Sequence, residues 1–105
     1  DYATVAVAAV LTLEPDGERC REARIALGSV GVTPLRARAA EALLRGERLS
    51  EEALRAAGES AKGGVDPLSD YRGSAAYKRE MSAVMVGRAL TQAWEAAQRS
   101  VRGAR

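Results

Sequence analysis

The residues Ser69-Asp70-Tyr71-Arg72-Gly73-Ser74-Ala75-Ala76-Tyr77-Lys78-Arg79 are the most informative segment of this chain. They place an acidic turn, a bare glycine and a serine directly before a run of apolar residues with helical spacing. Ser74 suits the start of a helix because its hydroxyl can accept a hydrogen bond from a backbone N–H group of the first turn. The segment therefore predicts a long helix over residues 75–101.

This predicted helix has two apolar sides. The first half carries Tyr77, Met81, Val84 and Met85 on one side. The second half carries, on another side, Val86, Leu90, Ala93, Trp94, Ala97 and Val101. Two apolar surfaces on one helix indicate either two packing partners or a bend near Gly87. We predict that the first half packs on a sheet, and that the second half docks on a missing domain or a partner chain.

Two segments near the start of the chain alternate between apolar and polar residues, which is typical of strands. In residues 2–13, one face carries Val5, Val7, Leu11 and Leu13. In the second run, the inward residues are Ala23, Ile25 and Leu27. Pro15 and the Asp16-Gly17 pair between the runs predict a turn. The residues alone therefore predict a hairpin, with no third strand evident downstream.

Two shorter helices are predicted after the hairpin. Thr33 and Pro34 suit the cap and first position of one helix, which Gly46 would end. Its predicted inward residues are Leu35, Ala39, Ala42 and Leu43. Ser50 suits the cap of the next, with Leu49 and Leu54 as a hydrophobic staple. Its predicted inward residues are Leu54, Ala57 and Ala61.

The amino-acid composition limits the kinds of catalytic and metal sites that this chain can form. The 105 residues, 47% of them hydrophobic, predict a single domain over residues 1–105. The sequence has no His and one Cys, so no His-based triad, His-ligated metal or Cys-ligated cluster can form within it. We therefore predict no catalytic residue and no metal ligand. Cys20 has no imidazole to activate it, and is interpreted as a half-buried strand thiol rather than a nucleophile.

Charge and hydropathy exclude further classes. The chain carries 16 Lys and Arg and 14 Asp and Glu, a net charge of +2, with the signs interspersed. Nucleic-acid binding is not expected, because it requires a concentrated basic surface. No uninterrupted apolar run reaches the ~18 residues that a membrane-spanning helix requires. A lone cysteine fits a reducing compartment, and we expect a cytoplasmic protein.

Three features are candidate sites, each with a structural alternative. The segment GSVGVTP at residues 28–34 lies where phosphate-binding loops occur, but it lacks their lysine and third glycine, so a sharp strand-to-helix turn is the preferred interpretation. Asp70 and Arg72 form either a local ion pair or contacts across an interface. Trp94 is either an interface anchor or a core residue.

Four segments, in order, resemble the C-terminal domain of the flavin-binding medium subunit of molybdenum hydroxylases, the family of aerobic carbon monoxide dehydrogenase and xanthine dehydrogenase. They are DYATVAVA at residues 1–8, RIALGSVGVTPLRA at 24–37, EALLRG at 41–46, and SDYRGS followed by YKR within 69–79. The resemblance implies an α+β fold, with an antiparallel sheet of three or four strands covered by three helices.

The resemblance also implies a role in electron transfer within an oxidoreductase. Flavin adenine dinucleotide (FAD) would sit mainly on upstream domains absent from this sequence, and this domain alone would not bind it. Molybdopterin would lie in a large partner subunit and iron–sulfur clusters in a small one. Asp1 corresponds to the position nearest the flavin-proximal loop, and no catalytic residue carries over. The rival hypothesis is a free-standing module without cofactor that dimerises through the Trp94 face; self-association of the isolated chain also stays open.

Overall fold

The computed structural model of the protein describes residues 6–29, 32–64 and 75–103. Its elements are β1 (Ala6–Leu13), β2 (Cys20–Ser29), β3 (Val32–Arg36), α1 (Arg38–Leu44), α2 (Glu51–Ala61), a 3-10 turn (Lys62–Gly64) and α3 (Ala75–Gly103). The strands form an antiparallel sheet in the order β1-β2-β3. Helices α1 and α3 contact the sheet, and α2 packs against both. The predicted α+β class, with three strands and three helices, is confirmed.

The β1–β2 hairpin forms where the alternation predicts it. Asp16 Oδ1 accepts hydrogen bonds from the N–H groups of Glu18 at 2.8 Å and Arg19 at 3.0 Å. Gly17 has a φ of 76°, a conformation that favours glycine. The buried face carries Leu11, Leu13, Ala23 and Ile25, with Val7 and Leu27 partly buried beside them. Cys20 was expected to be half-buried and is fully buried.

The residue pattern alone missed the third strand, and it placed the first helix wrongly. Thr33 and Pro34 lie in β3, and α1 begins only at Arg38. Thr33 is therefore not a helix cap, and the glycine segment at residues 28–34 leads from one antiparallel strand to the next instead of into a helix. The physical reason is that the free edge of β2 needs backbone partners, and an edge strand tolerates proline.

The inward face of α1 also differs from the prediction. Leu35 and Leu43 are 51% and 49% exposed, and Ala39 and Ala42 are exposed as well. The residues that face the core are Ala37, Ala40, Glu41 and Leu44. Because Leu35 belongs to a strand, helical spacing counted from it selects the wrong side of α1.

Helix α2 agrees with its prediction. Ser50 Oγ accepts a hydrogen bond from the Ala53 N–H at 3.0 Å. The buried apolar residues are Leu49 before the helix and Leu54, Ala57 and Ala61 within it. Gly58 lies where α2 crosses α3, and a Cβ there would stand 3.0 Å from the carbonyl oxygen of Ala83. Only a glycine permits this close crossing without displacement.

Helix α3 runs from Ala75 to Gly103, and its predicted division into two roles was wrong. Its second half packs inside the domain, where the side chain of Val101 lies against the hairpin turn. A Cβ added at Gly17 in that turn would be 3.6 Å from Val101 Cγ1. Val84, predicted to be on a packed side, is 48% exposed. The residues of α3 that join the core are Val86, Leu90 and Ala97, with Ala93, Trp94 and Val101 partly buried against it. The Ser74 cap and the Tyr77 side chain lie outside the described residues.

Candidate interaction surface

The described residues contain no cluster of side chains that could hold a metal ion. Residues 6–29, 32–64 and 75–103 include no group of three or more metal-ligating side chains close enough to hold an ion. Cys20 is fully buried, its thiol donates to the carbonyl oxygen of Glu22 at 3.3 Å, and burial raises its pKa. A buried, protonated thiol is a poor nucleophile. Over the same residues, no helix is both long and apolar enough to cross a bilayer.

A buried carboxylate joins α1 to the sheet. Glu41 is 2% exposed, and its Oε2 accepts hydrogen bonds from the Ile25 N–H at 2.8 Å and from Arg36 Nε at 2.7 Å. Its Oε1 accepts from Arg36 Nη2 at 2.8 Å. The bidentate bond with Arg36 holds the pKa of Glu41 below its ordinary value, since it stabilises the ionised form.

The position of Glu41 follows from the end of β3. Ala37 donates its N–H to the Ile25 carbonyl at 2.8 Å, as the next residue of the strand would. Its own carbonyl accepts from the Glu41 N–H at 3.0 Å and is thus committed to α1. The Ile25 N–H therefore donates to a side-chain oxygen of Glu41 in place of a backbone oxygen. Glu41 was not predicted from the sequence. Its only signal is the helical spacing of Ala37, Glu41 and Leu44, which can be recognised once the start of α1 is known.

A groove runs between α2 and α3. Small and apolar residues line it, namely Leu54, Ala83, Val84, Gly87 and Trp94. Charged residues of both signs also line it, including Glu51, Arg55, Arg88 and Glu95. An apolar strip with charged borders is the usual anatomy of a protein–protein contact.

An ion cluster lies beside the groove. Lys62 Nζ lies 2.8 Å from Glu59 Oε1 and 2.5 Å from Glu80 Oε2. The bonds with Glu59 and Glu80 raise the pKa of Lys62. This cluster links the end of α2 to the first half of α3, and its two carboxylates also line the groove.

Trp94 combines features of both interpretations made from the sequence. Its ring is partly buried against the core cluster. Its Nε1 is buried and has no hydrogen-bond partner among the described residues. The interface role of Trp94 stays a prediction. Asp1, Asp70 and Arg72, the other candidate residues, lie outside the described ranges.

Comparison with known proteins matches residues 1–93 to the family described as the CO dehydrogenase flavoprotein C-terminal domain. The carbon monoxide dehydrogenase medium chain of Afipia carboxidovorans is 43% identical over 93 residues, which cover 89% of this chain and 32% of that protein. The crystal structure of quinoline 2-oxidoreductase from Pseudomonas putida 86 superposes with a TM-score of 0.81 at 35% identity, covering 93% of this chain and 34% of that one.

A second solved structure is the carbon monoxide dehydrogenase of Hydrogenophaga pseudoflava lacking the Mo-pyranopterin moiety of its molybdenum cofactor. Its TM-score is 0.78 at 43% identity, covering 90% of this chain and 32% of the matched chain. The chain thus spans about a third of the length of the relatives that it matches.

Proposed function

This chain belongs to the CO dehydrogenase flavoprotein C-terminal domain family, and on that premise we propose that it encloses the flavin side of its subunit and packs that subunit against partner chains. The predicted resemblance to the C-terminal domain of the FAD-binding subunit of molybdenum hydroxylases is confirmed. The family match over residues 1–93 is the observation that carries the proposal.

The proposed setting is an electron-transfer complex. We infer FAD in the complete subunit, molybdopterin in a large partner and iron–sulfur clusters in a small one. The relatives support this assignment because one is a medium chain and another is a dehydrogenase with a molybdenum cofactor. In such an enzyme the cofactors perform the redox chemistry, and the protein orients them and controls their surroundings. A cytoplasmic location fits the same setting.

We infer that the described residues do not hold FAD by themselves. The α2–α3 groove is lined by four carboxylates (Glu51, Glu59, Glu80 and Glu95) and two guanidinium groups (Arg55 and Arg88), and this excess of negative charge disfavours a pyrophosphate. The beginning of α2 offers no anion site either, because Ser50 caps it and Glu51 and Glu52 occupy its first turn. The main FAD contacts would therefore come from outside the described residues, and this domain would contribute packing.

The rival hypothesis, a cofactor-free dimerising module, is not favoured by these comparisons. The matched relatives are a chain of carbon monoxide dehydrogenase and two solved oxidoreductases, and in each the matched region is about a third of the chain.

Flavin content tests the proposal. The complete subunit, a version without this domain and the 105-residue chain would each be purified, and the flavin released by denaturation quantified by absorbance and fluorescence. We expect stoichiometric FAD in the complete subunit, a reduced content without the domain, and none in the 105-residue chain. A complete subunit devoid of flavin would overturn the family-based role. Tight FAD binding by the 105-residue chain would overturn the packing role.

A further inference from the structure

The two longest uncharged stretches of the chain meet at one end of the sheet. Residues 2–13 and 25–35 contain no Asp, Glu, Lys or Arg, although these types make up 29% of the sequence. Ala6 pairs with Gly28, so the beginning of β1 lies beside the end of β2. The charged residues of β2 lie in its first half, toward the hairpin turn, namely Arg21, Glu22 and Arg24. The two strands therefore have a charged end and an uncharged end.

A row of apolar side chains at the uncharged end is incompletely covered. Val7, Leu27 and Leu35 are partners across the three strands, so their side chains lie on one face of the sheet, the face that carries the core. Val7 and Leu27 are only partly buried against the core, and Leu35 is 51% exposed.

The opposite face of the sheet is also uncharged at this end. Ala6 and Ala8 alternate with the partly buried Val7 on β1, and both are exposed. A strand face in contact with water usually carries polar residues, whereas the centre of a protein interface is depleted of charge. The uncharged end therefore has the composition of a covered surface on both faces.

The position of Asp1 indicates what could cover it. Ala6 is the fifth residue after Asp1, and five residues span at most about 18 Å. Strand β1 extends about 27 Å from Ala6 toward the hairpin turn, at ~3.4 Å per residue, so the charged end is farther away. The matched relatives are about three times as long as this chain, and the matched family is described as a C-terminal domain. Under the proposed function, the rest of the subunit precedes Asp1 and adjoins the uncharged end.

We propose that the part of the same subunit that precedes Asp1 docks on the uncharged end of the sheet and covers Leu35 with an apolar, uncharged segment. This inference rests on the proposed function, in which the domain closes its subunit. Attachment within one polypeptide gives the two surfaces a high effective concentration, so a small apolar contact suffices to hold them together.

Photo-crosslinking in the complete subunit, purified without partner chains, tests this contact. Benzoylphenylalanine would replace Leu35 in one protein and Leu43 in the matched control, because Leu43 is 49% exposed but lies on α1 between Glu41 and Arg45, outside the uncharged end. Mass spectrometry after irradiation would identify the crosslinked peptides. We expect position 35 to crosslink to residues that precede Asp1, and we expect that product to be lost at position 43.

The identity of the crosslinked peptide separates the possible occupants. Crosslinks from position 35 that are confined to residues 1–105 would overturn the inference, because the cover would then belong to this domain. Crosslinks to a second copy of the subunit, or equal products from positions 35 and 43, would overturn it as well. A wild-type subunit without flavin that crosslinks as expected would overturn the proposed role at the flavin and support the docking surface.

The melting temperature of the complete subunit provides an independent measurement. Leu35→Lys places a charge in the covered surface, which is costly without a partner, so we expect a decrease of about 5 °C or more. Leu43→Lys should melt like the wild type, since its position stays in contact with water. Equal melting temperatures for the two variants would overturn the inference.

Discussion

Replacing Glu41 by Gln should remove the charged link between α1 and the sheet while keeping the shape of the side chain. The carboxylate receives three donated hydrogen bonds, one from the Ile25 N–H and two from Arg36. A glutamine has a single oxygen, and its NH₂ group must face either Ile25 or Arg36, both of which are donors. At least one of these donors then loses its acceptor.

The expected cost follows from burial. Removing one partner of a fully buried ion pair costs about 3–5 kcal/mol. The Arg36 side chain is 37% exposed and can turn toward water, which lowers the figure to about 2–4 kcal/mol. A domain of this size has a total stability of about 5–15 kcal/mol, so the loss is a large part of it. The melting temperature should fall by about 10–20 °C.

Urea unfolding of the 105-residue chain, followed by circular dichroism, measures this free energy. Glu18→Gln is the matched control, because Glu18 forms an ion pair with Arg48 at 2.6 Å in which the side chains are 52% and 70% exposed. Exposed pairs contribute below about 1 kcal/mol, so this control should resemble the wild type. Equal unfolding free energies for the two variants would refute the assignment of Glu41 as the anchor of α1.

Three further outcomes are expected. The folded-state pKa of Glu41 is depressed, so its contribution to stability should be full above the unfolded value near 4.5 and should be lost as the pH falls through the lower folded value; urea midpoints from pH 6 to 2.5 should show this decline, and Glu41→Gln should flatten it. Gly58→Ala should destabilise the isolated domain by about 1–2 kcal/mol, because the new methyl meets the Ala83 carbonyl, whereas Gly87→Ala should stabilise it by about 0.5–1 kcal/mol; thermal melts in which both changes have the same sign would contradict the helix-crossing geometry. Cys20 should react with a thiol reagent at pH 7 at least tenfold more slowly in the native chain than in urea, since it is buried and its pKa is raised; equal rates would contradict its burial.

Local signals sufficed for part of the fold. The alternation of β1 and β2, the Asp16-Gly17 turn and the Ser50 cap each depend on residues that lie close together in the sequence, and each prediction is confirmed. Pro34 shows where such signals fail, because proline suits the first turn of a helix and an edge strand alike. The free edge of β2 decides between them, and that edge exists only in the folded sheet.

The burial of Glu41 and of the α3 residues depends on contacts between residues that are far apart in the sequence. The partner of Glu41 at Ile25 is sixteen residues away, and an acidic residue on a helix gives no sign of being buried. The residues of α3 are apolar on several sides, so which of them are covered depends on where β1 and α2 lie. Val84 and Val86 are both valine and lie two positions apart, yet Val84 is 48% exposed and Val86 is fully buried.

Strand β1 is an edge strand: among the described strands it pairs with β2 on one side and with none on the other. Its sequence, AVAAVLTL, has no charge and no proline, which is the composition that stacks into cross-β fibrils when it is left uncovered. The unpaired backbone groups of this edge are therefore a site at which chains can associate strand to strand. Val10, which is 60% exposed on β1, is the position at which a single lysine would interrupt such stacking without disturbing the buried face.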